Sequence, residues 1–181
     1  GTRYDLDIVP VGVVPTKQLG KDLAASATAE VAIPPPVGVP EVVETKATAL
    51  TGDKPTAYDQ LVALQRSLAE GYFTQEKASG HGYKRIGQFL GEDTLAGDDE
   101  QYAVAMALMA LSLGLPARVV VGFYPDEPVA AGQTLAVTGE MGHVWVEVAF
   151  QPERWVVFDP TPPRDRTPDE GMLKPEIFDA A

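Results

Sequence analysis

The chain contains no cysteine. That absence removes disulfide bonds, thiolate zinc sites and every thiol nucleophile, and it leaves the redox state of the compartment unreadable. Basic charge is scarce too: 14 Lys and Arg stand against 26 Asp and Glu, a formal net charge of -12. Nucleic-acid surfaces need clustered cations to displace counterions from phosphate, so nucleic acid is excluded as a partner. Long apolar runs are also missing. The longest, Tyr102 to Leu111, is too short to cross a bilayer, and no charged-then-apolar leader opens the chain. The first residue is Gly rather than Met, which reads as a piece of a longer protein.

What is present suffices for one core. At 181 residues and 45% hydrophobic content, a single domain with appendages is expected. Residues 1–54 read as an extended lead-in, broken by prolines in YDLDIVPVGVVP and ATAEVAIPPP, with a short helix from Pro40 to about Leu50 that carries Val43, Ala47 and Leu50 on one face and stops at Gly52. Residues 55–162 read as the core. Its first helix, Pro55 to Glu70, carries Tyr58, Leu61, Val62, Leu64, Gln65 and Leu68 at amphipathic spacing. Tyr72 to Ala96, rich in Gly and polar residues, reads as a long functional loop. The stretch from Asp99 to Gly114 is apolar on every side and predicts a central buried helix. Strands are predicted at Ala117–Tyr124, His143–Phe150 and Arg154–Asp159, with a connecting loop from Pro125 to Met141 around a short strand at Leu135–Val137. Residues 163–181 read as a Pro-rich linker or tail.

Four ordered segments carry a stronger signal: GDDEQYA (Gly97 to Ala103), LGLPARVVVGF (Leu113 to Phe123), GHVWVEV (Gly142 to Val148) and WVVFDPTP (Trp155 to Pro162). Together, over roughly Tyr58 to Pro162, they resemble the bacterial transglutaminase-like domain of the papain-like cysteine protease superfamily. The resemblance implies an α+β fold in which a central buried helix packs on an antiparallel β-sheet. It also implies a Cys opening the helix, a His opening the third segment's strand and an Asp ending the fourth's. His143 and Asp159 match, and Asp99 stands where the nucleophilic Cys belongs. Related bacterial domains sit on the extracytoplasmic side of the cell membrane in membrane-anchored proteins, and the resemblance implies the same here.

A helix N-terminus, with its unpaired N–H groups and partial positive charge, activates a thiol. It stabilises a carboxylate equally, but as a helix cap rather than a nucleophile, and Asp98 and Asp99 are both capping candidates. If His143 faces Asp99, a charge-assisted contact keeps the imidazole protonated and removes it as a general base. Cooperation of His143 with Asp159 depends on register. Pairing Phe150 with Arg154 and Trp145 with Asp159, across a three-residue loop at 151–153, makes Asp159 a diagonal neighbour of His143. Pairing Phe150 with Trp155 puts them on opposite faces.

Trp145, His81 and Tyr83 are candidate groove-lining residues, although strand tryptophans are commonly core and loop histidines commonly solvated. Arg118, read as buried, calls for a carboxylate partner. The leading expectation is a domain without cysteine chemistry, kept to bind or scaffold a peptide or protein, with no cofactor. An amidase or peptidase using Asp99, His143 and Asp159 is one alternative, weakened because carboxylates attack amides poorly. A divalent-metal site at the same three residues is another.

Overall fold

The computed structural model describes residues 20–23, 28–31, 33–34, 36–75, 80–124, 133–151, 154–169 and 171–172. Most of the lead-in, including YDLDIVPVGVVP, lies outside them. Four longer helices and two sheets make up the described chain: α1 (Glu41–Thr51), α2 (Ala57–Ala69), β1 (Tyr72–Phe73), α3 (Tyr83–Gly91), β2 (Ala96–Gly97), α4 (Asp99–Ser112), β3 (Ala117–Phe123), β4 (Gly142–Phe150) and β5 (Arg154–Phe158).

Local chemistry sets the helix ends. Pro40 precedes α1, and Glu41 and Glu44 place negative charge in its first turn, where the helix dipole favours it. Thr56 caps α2: its Oγ1 accepts from the Asp59 amide at 3.1 Å while donating to Asp59 Oδ2 at 2.6 Å. Asp98 caps α4 by accepting from the Gln101 amide at 2.9 Å. Gly114, at φ 76°, turns the chain out of α4 through a conformation that costs glycine least.

Helix α4 is the centre of the molecule. Nearly all of its length is buried, from Gln101 to Ala110, with only Val104 partly exposed. One side packs on β3 and β4 and the other on α1, α2 and α3. From the sheet, Val146, Val148, Phe150, Val156 and Phe158 complete the core; from the helices, Val43, Ala47, Leu61, Leu64, Leu68, Ile86, Phe89 and Leu90 do. The sheet order is β3-β4-β5, antiparallel throughout. Phe150 pairs with Arg154 and Val146 with Phe158, the register that makes Asp159 a diagonal neighbour of His143.

Some expectations are corrected. Tyr72 to Ala96 is not one long loop: it holds α3 and the short parallel pair β1-β2. Two glycines and only three buried apolar side chains (Ile86, Phe89, Leu90) hide that helix from its pattern. Leu135–Val137 forms no strand; a single 3-10 turn, Gly139–Met141, precedes β4 instead. Arg118 is half exposed rather than buried. Its carboxylate partner is Glu147, 2.7 Å away, and its guanidinium lies 3.7 Å above the Trp155 ring. Beyond Pro162, Arg164 donates to the carbonyls of Glu140 and Gly142, both at 2.9 Å, and the Arg166 carbonyl accepts from the Phe73 amide at 2.8 Å. That part of the segment read as a linker is therefore tied to the core.

Candidate functional site

Three elements converge on one imidazole. Asp99 is the first residue of α4, His143 lies at the start of β4, and Asp159 follows β5. His143 Nδ1 lies 3.1 Å from Asp99 Oδ2, and Nε2 lies 2.7 Å from Asp159 Oδ2. Each ring nitrogen thus faces a carboxylate, and the protonated ring donates to both.

Asp99 is held from several sides. Its Oδ1 accepts from the Glu100 amide at 3.1 Å, and its Oδ2 accepts from the Val144 amide at 3.2 Å as well as from His143. The Val144 amide points away from β3 by strand alternation, and β5 has already ended opposite Val146, so Asp99 fills a ladder position that no strand occupies. The capping role belongs to Asp98, and Asp99 is free to face the ring. Asp159 is fixed by the Thr161 amide, which donates to its Oδ1 at 3.0 Å.

Electrostatics follow from the geometry. Hydrogen bonds to Asp159 and then Asp99 outweigh burial and raise the His143 pKa to about 9. Burial pushes Asp99 upward, but the hydrogen bond and charge of His143, the Glu100 amide and the charge of Arg164 together leave it below the ordinary carboxylate value. Asp159 behaves alike, its burial outweighed by His143 and the Thr161 amide. At neutral pH the site is an imidazolium between two carboxylates.

A cleft of about 420 Å³ opens beside the ring, lined by Tyr124, Glu140, His143, Asp159, Thr161 and Arg164 with Pro162 and Pro163. Of the residues singled out as groove candidates, Trp145 stacks on His143 with centroids 6.3 Å apart, without lining the cleft. Neither His81 nor Tyr83 lines it: His81 pairs with Glu100 at 2.7 Å on the exposed side of the first turn of α4, and Tyr83 begins α3. Tyr124, whose ring centroid lies 6.0 Å from that of His143, and Glu140, Thr161 and Arg164 were not foreseen. Only Arg164 had a signal available, a charged side chain directly after the DPTPP stretch.

The geometry also disposes of one metal arrangement. Asp99 and Asp159 contact opposite ring nitrogens, so a single ion cannot take a carboxylate oxygen from each and the imidazole between them. Among the described residues no group of three His, Asp or Glu is placed to hold an ion.

Residues 44–160 match the transglutaminase-like superfamily, and the chain belongs to it. It is 35% identical over 134 residues to the uncharacterized protein YebA of Bacillus subtilis (strain 168), covering 70% of this chain and 18% of that protein. It is 39% identical over 99 residues to a protein-glutamine gamma-glutamyltransferase of Pseudomonas aeruginosa, covering 54% of this chain and 14% of that protein. The chain thus spans less than a fifth of these relatives' length. Among solved structures, the periplasmic domain of TgpA from Pseudomonas aeruginosa superposes with a TM-score of 0.56 at 31% identity, over 69% of this chain and 43% of that one. The same domain bound to ethylmercury superposes with a TM-score of 0.57 at 28% identity, over 69% and 45%. The fold is transglutaminase-like, within the papain-like class.

Proposed function

We propose that this domain binds or scaffolds a peptide or protein without acyl-transfer chemistry, on the extracytoplasmic side of a bacterial membrane as part of a membrane-anchored protein. The observation that carries the reading is the double clasp of His143. With Asp99 at 3.1 Å on one ring nitrogen and Asp159 at 2.7 Å on the other, and a pKa near 9, the ring has no lone pair to offer at neutral pH. The chain also has no thiol for a base to activate. Asp99 takes the place that the resemblance assigns to the nucleophile, and its anion is bound by two amides and the ring, which lowers its reactivity. The periplasmic setting of the TgpA domains supports the location.

The test compares the native chain with Asp99→Asn and Asp99→Cys in glutamine deamidation, transamidation and peptide-hydrolysis assays. Native and Asp99→Asn proteins are expected to give equal background rates, while Asp99→Cys gains a thiol that alkylates faster than free cysteine. Turnover by the native chain that Asp99→Asn abolishes would establish the amidase alternative instead.

A further inference from the structure

Among the described residues the outer edge of β3 carries no pairing strand, and its end lies at the cleft. Hydrogen bonds at its two ends, from the Ala149 amide to the Pro116 carbonyl at 3.0 Å and from the Tyr124 amide to the Met141 carbonyl at 2.8 Å, fix the phase of the ladder. Even-numbered residues of β3 therefore bond to β4, and Val119, Val121 and Phe123 turn both N–H and C=O outward. The same three residues present their side chains on the helix-bearing face of the sheet, yet are 37%, 76% and 55% exposed. The strand thus shows six backbone hydrogen-bonding groups and a row of apolar side chains on adjoining surfaces.

Edge strands are ordinarily defended by charge, proline or a bulge. This one has none of these along Val119 to Phe123, and Arg118 at its start is engaged by Glu147. The next residue, Tyr124, lines the cleft beside His143. Only another extended backbone offers donors and acceptors at this repeat.

We infer that β3 is the docking edge for an extended peptide segment of a protein partner, which adds as a strand along Val119 to Phe123 and leads its end past Tyr124 into the cleft. This rests on the reading of the domain as a peptide-binding module and names how the peptide is held. Charge selects the occupant. A formal charge of -12 on every copy opposes edge-to-edge pairing of two copies and favours a neutral or basic peptide with apolar residues at alternate positions.

The experiment titrates the isotope-labelled chain with the synthetic octapeptide Lys-Thr-Val-Thr-Val-Thr-Val-Lys, and with an analogue N-methylated at every central residue, which keeps the side chains and removes the N–H groups. The expected result is slowed amide exchange and shifted resonances at Val119, Val121 and Phe123, abolished by N-methylation. Val121→Lys, at an exposed position that leaves the fold intact, is expected to weaken binding about ten-fold. Equal binding of the methylated analogue, or no perturbation at millimolar peptide, would overturn the inference. Shifts confined to Tyr124, Glu140, His143 and Arg164 would overturn strand addition while leaving a peptide-binding cleft. Protection of the same three amides without peptide, with a doubled mass in sedimentation, would assign the edge to a second copy. Loss of the binding-module reading would show separately, as turnover by the native chain.

Discussion

With a carboxylate on each ring nitrogen, His143 keeps its charge to about pH 9. Its folded pKa lies above the ordinary value of 6.5, so the stability it contributes is complete below that value and is lost as pH rises through 9. Asp99 and Asp159 run the other way: held below 3.8, they contribute above that value and lose the contribution as pH falls through their folded pKa values. Resistance to denaturant is therefore expected to fall between pH 6.5 and 9. At ~1.4 kcal/mol per pKa unit, discounted for solvent around Asp159, the fall is about 1–3 kcal/mol. His143→Gln should flatten that slope. Asp99→Asn should lower the His143 pKa, read from imidazole resonances, because one of two charge-assisted bonds is lost. Titration of the native ring near 6.5 would refute the clasp.

Elements were legible where one periodicity governed them and illegible where tertiary contacts did. The β4-β5 register was legible only through the resemblance: of the two pairings weighed, Phe150 with Arg154 is the one that puts His143 and Asp159 on the same face, and it is the one observed. Helix α4 declared itself through unbroken apolar residues. Helix α3 did not, since Gly87 reads as a breaker until its neighbour is seen: a Cβ there would lie 2.9 Å from Pro40 Cγ, so its bareness is what lets the chain before α1 pack against α3. Helix propensity alone would make Gly87→Ala stabilising. The clash reverses the sign, and a loss of about 1–3 kcal/mol is expected in chemical denaturation. The triad was readable because its residues stand in the segments that carry the family resemblance. Tyr124 and Glu140 were not, since they come from a strand end and a turn whose meeting with His143 depends on how α4 and the sheet stack.

At the scale of the whole molecule, the segment after Pro162 acts as a strap. Arg166 reaches the end of α2 through the Ala69 carbonyl at 3.2 Å, and Arg164 clamps the turn before β4 through two carbonyls. Arg164→Ala should cost about 1–2 kcal/mol and speed amide exchange across residues 139–142, with Arg164→Lys restoring charge but not the paired carbonyl contacts. Unchanged exchange there would show that the turn holds itself.

The clasp at His143 joins helix, sheet and the turn after β5 at one ring, with both of its protons engaged. The Nε2 proton faces Asp159, which lines the cleft, so it exchanges through local opening of that contact, whereas the Nδ1 proton is held by the more covered Asp99. Two low-field signals of unequal lifetime are expected in a proton spectrum, the one on the Asp159 side the shorter-lived, which makes the imidazole a gauge of how readily each of its two partners lets go.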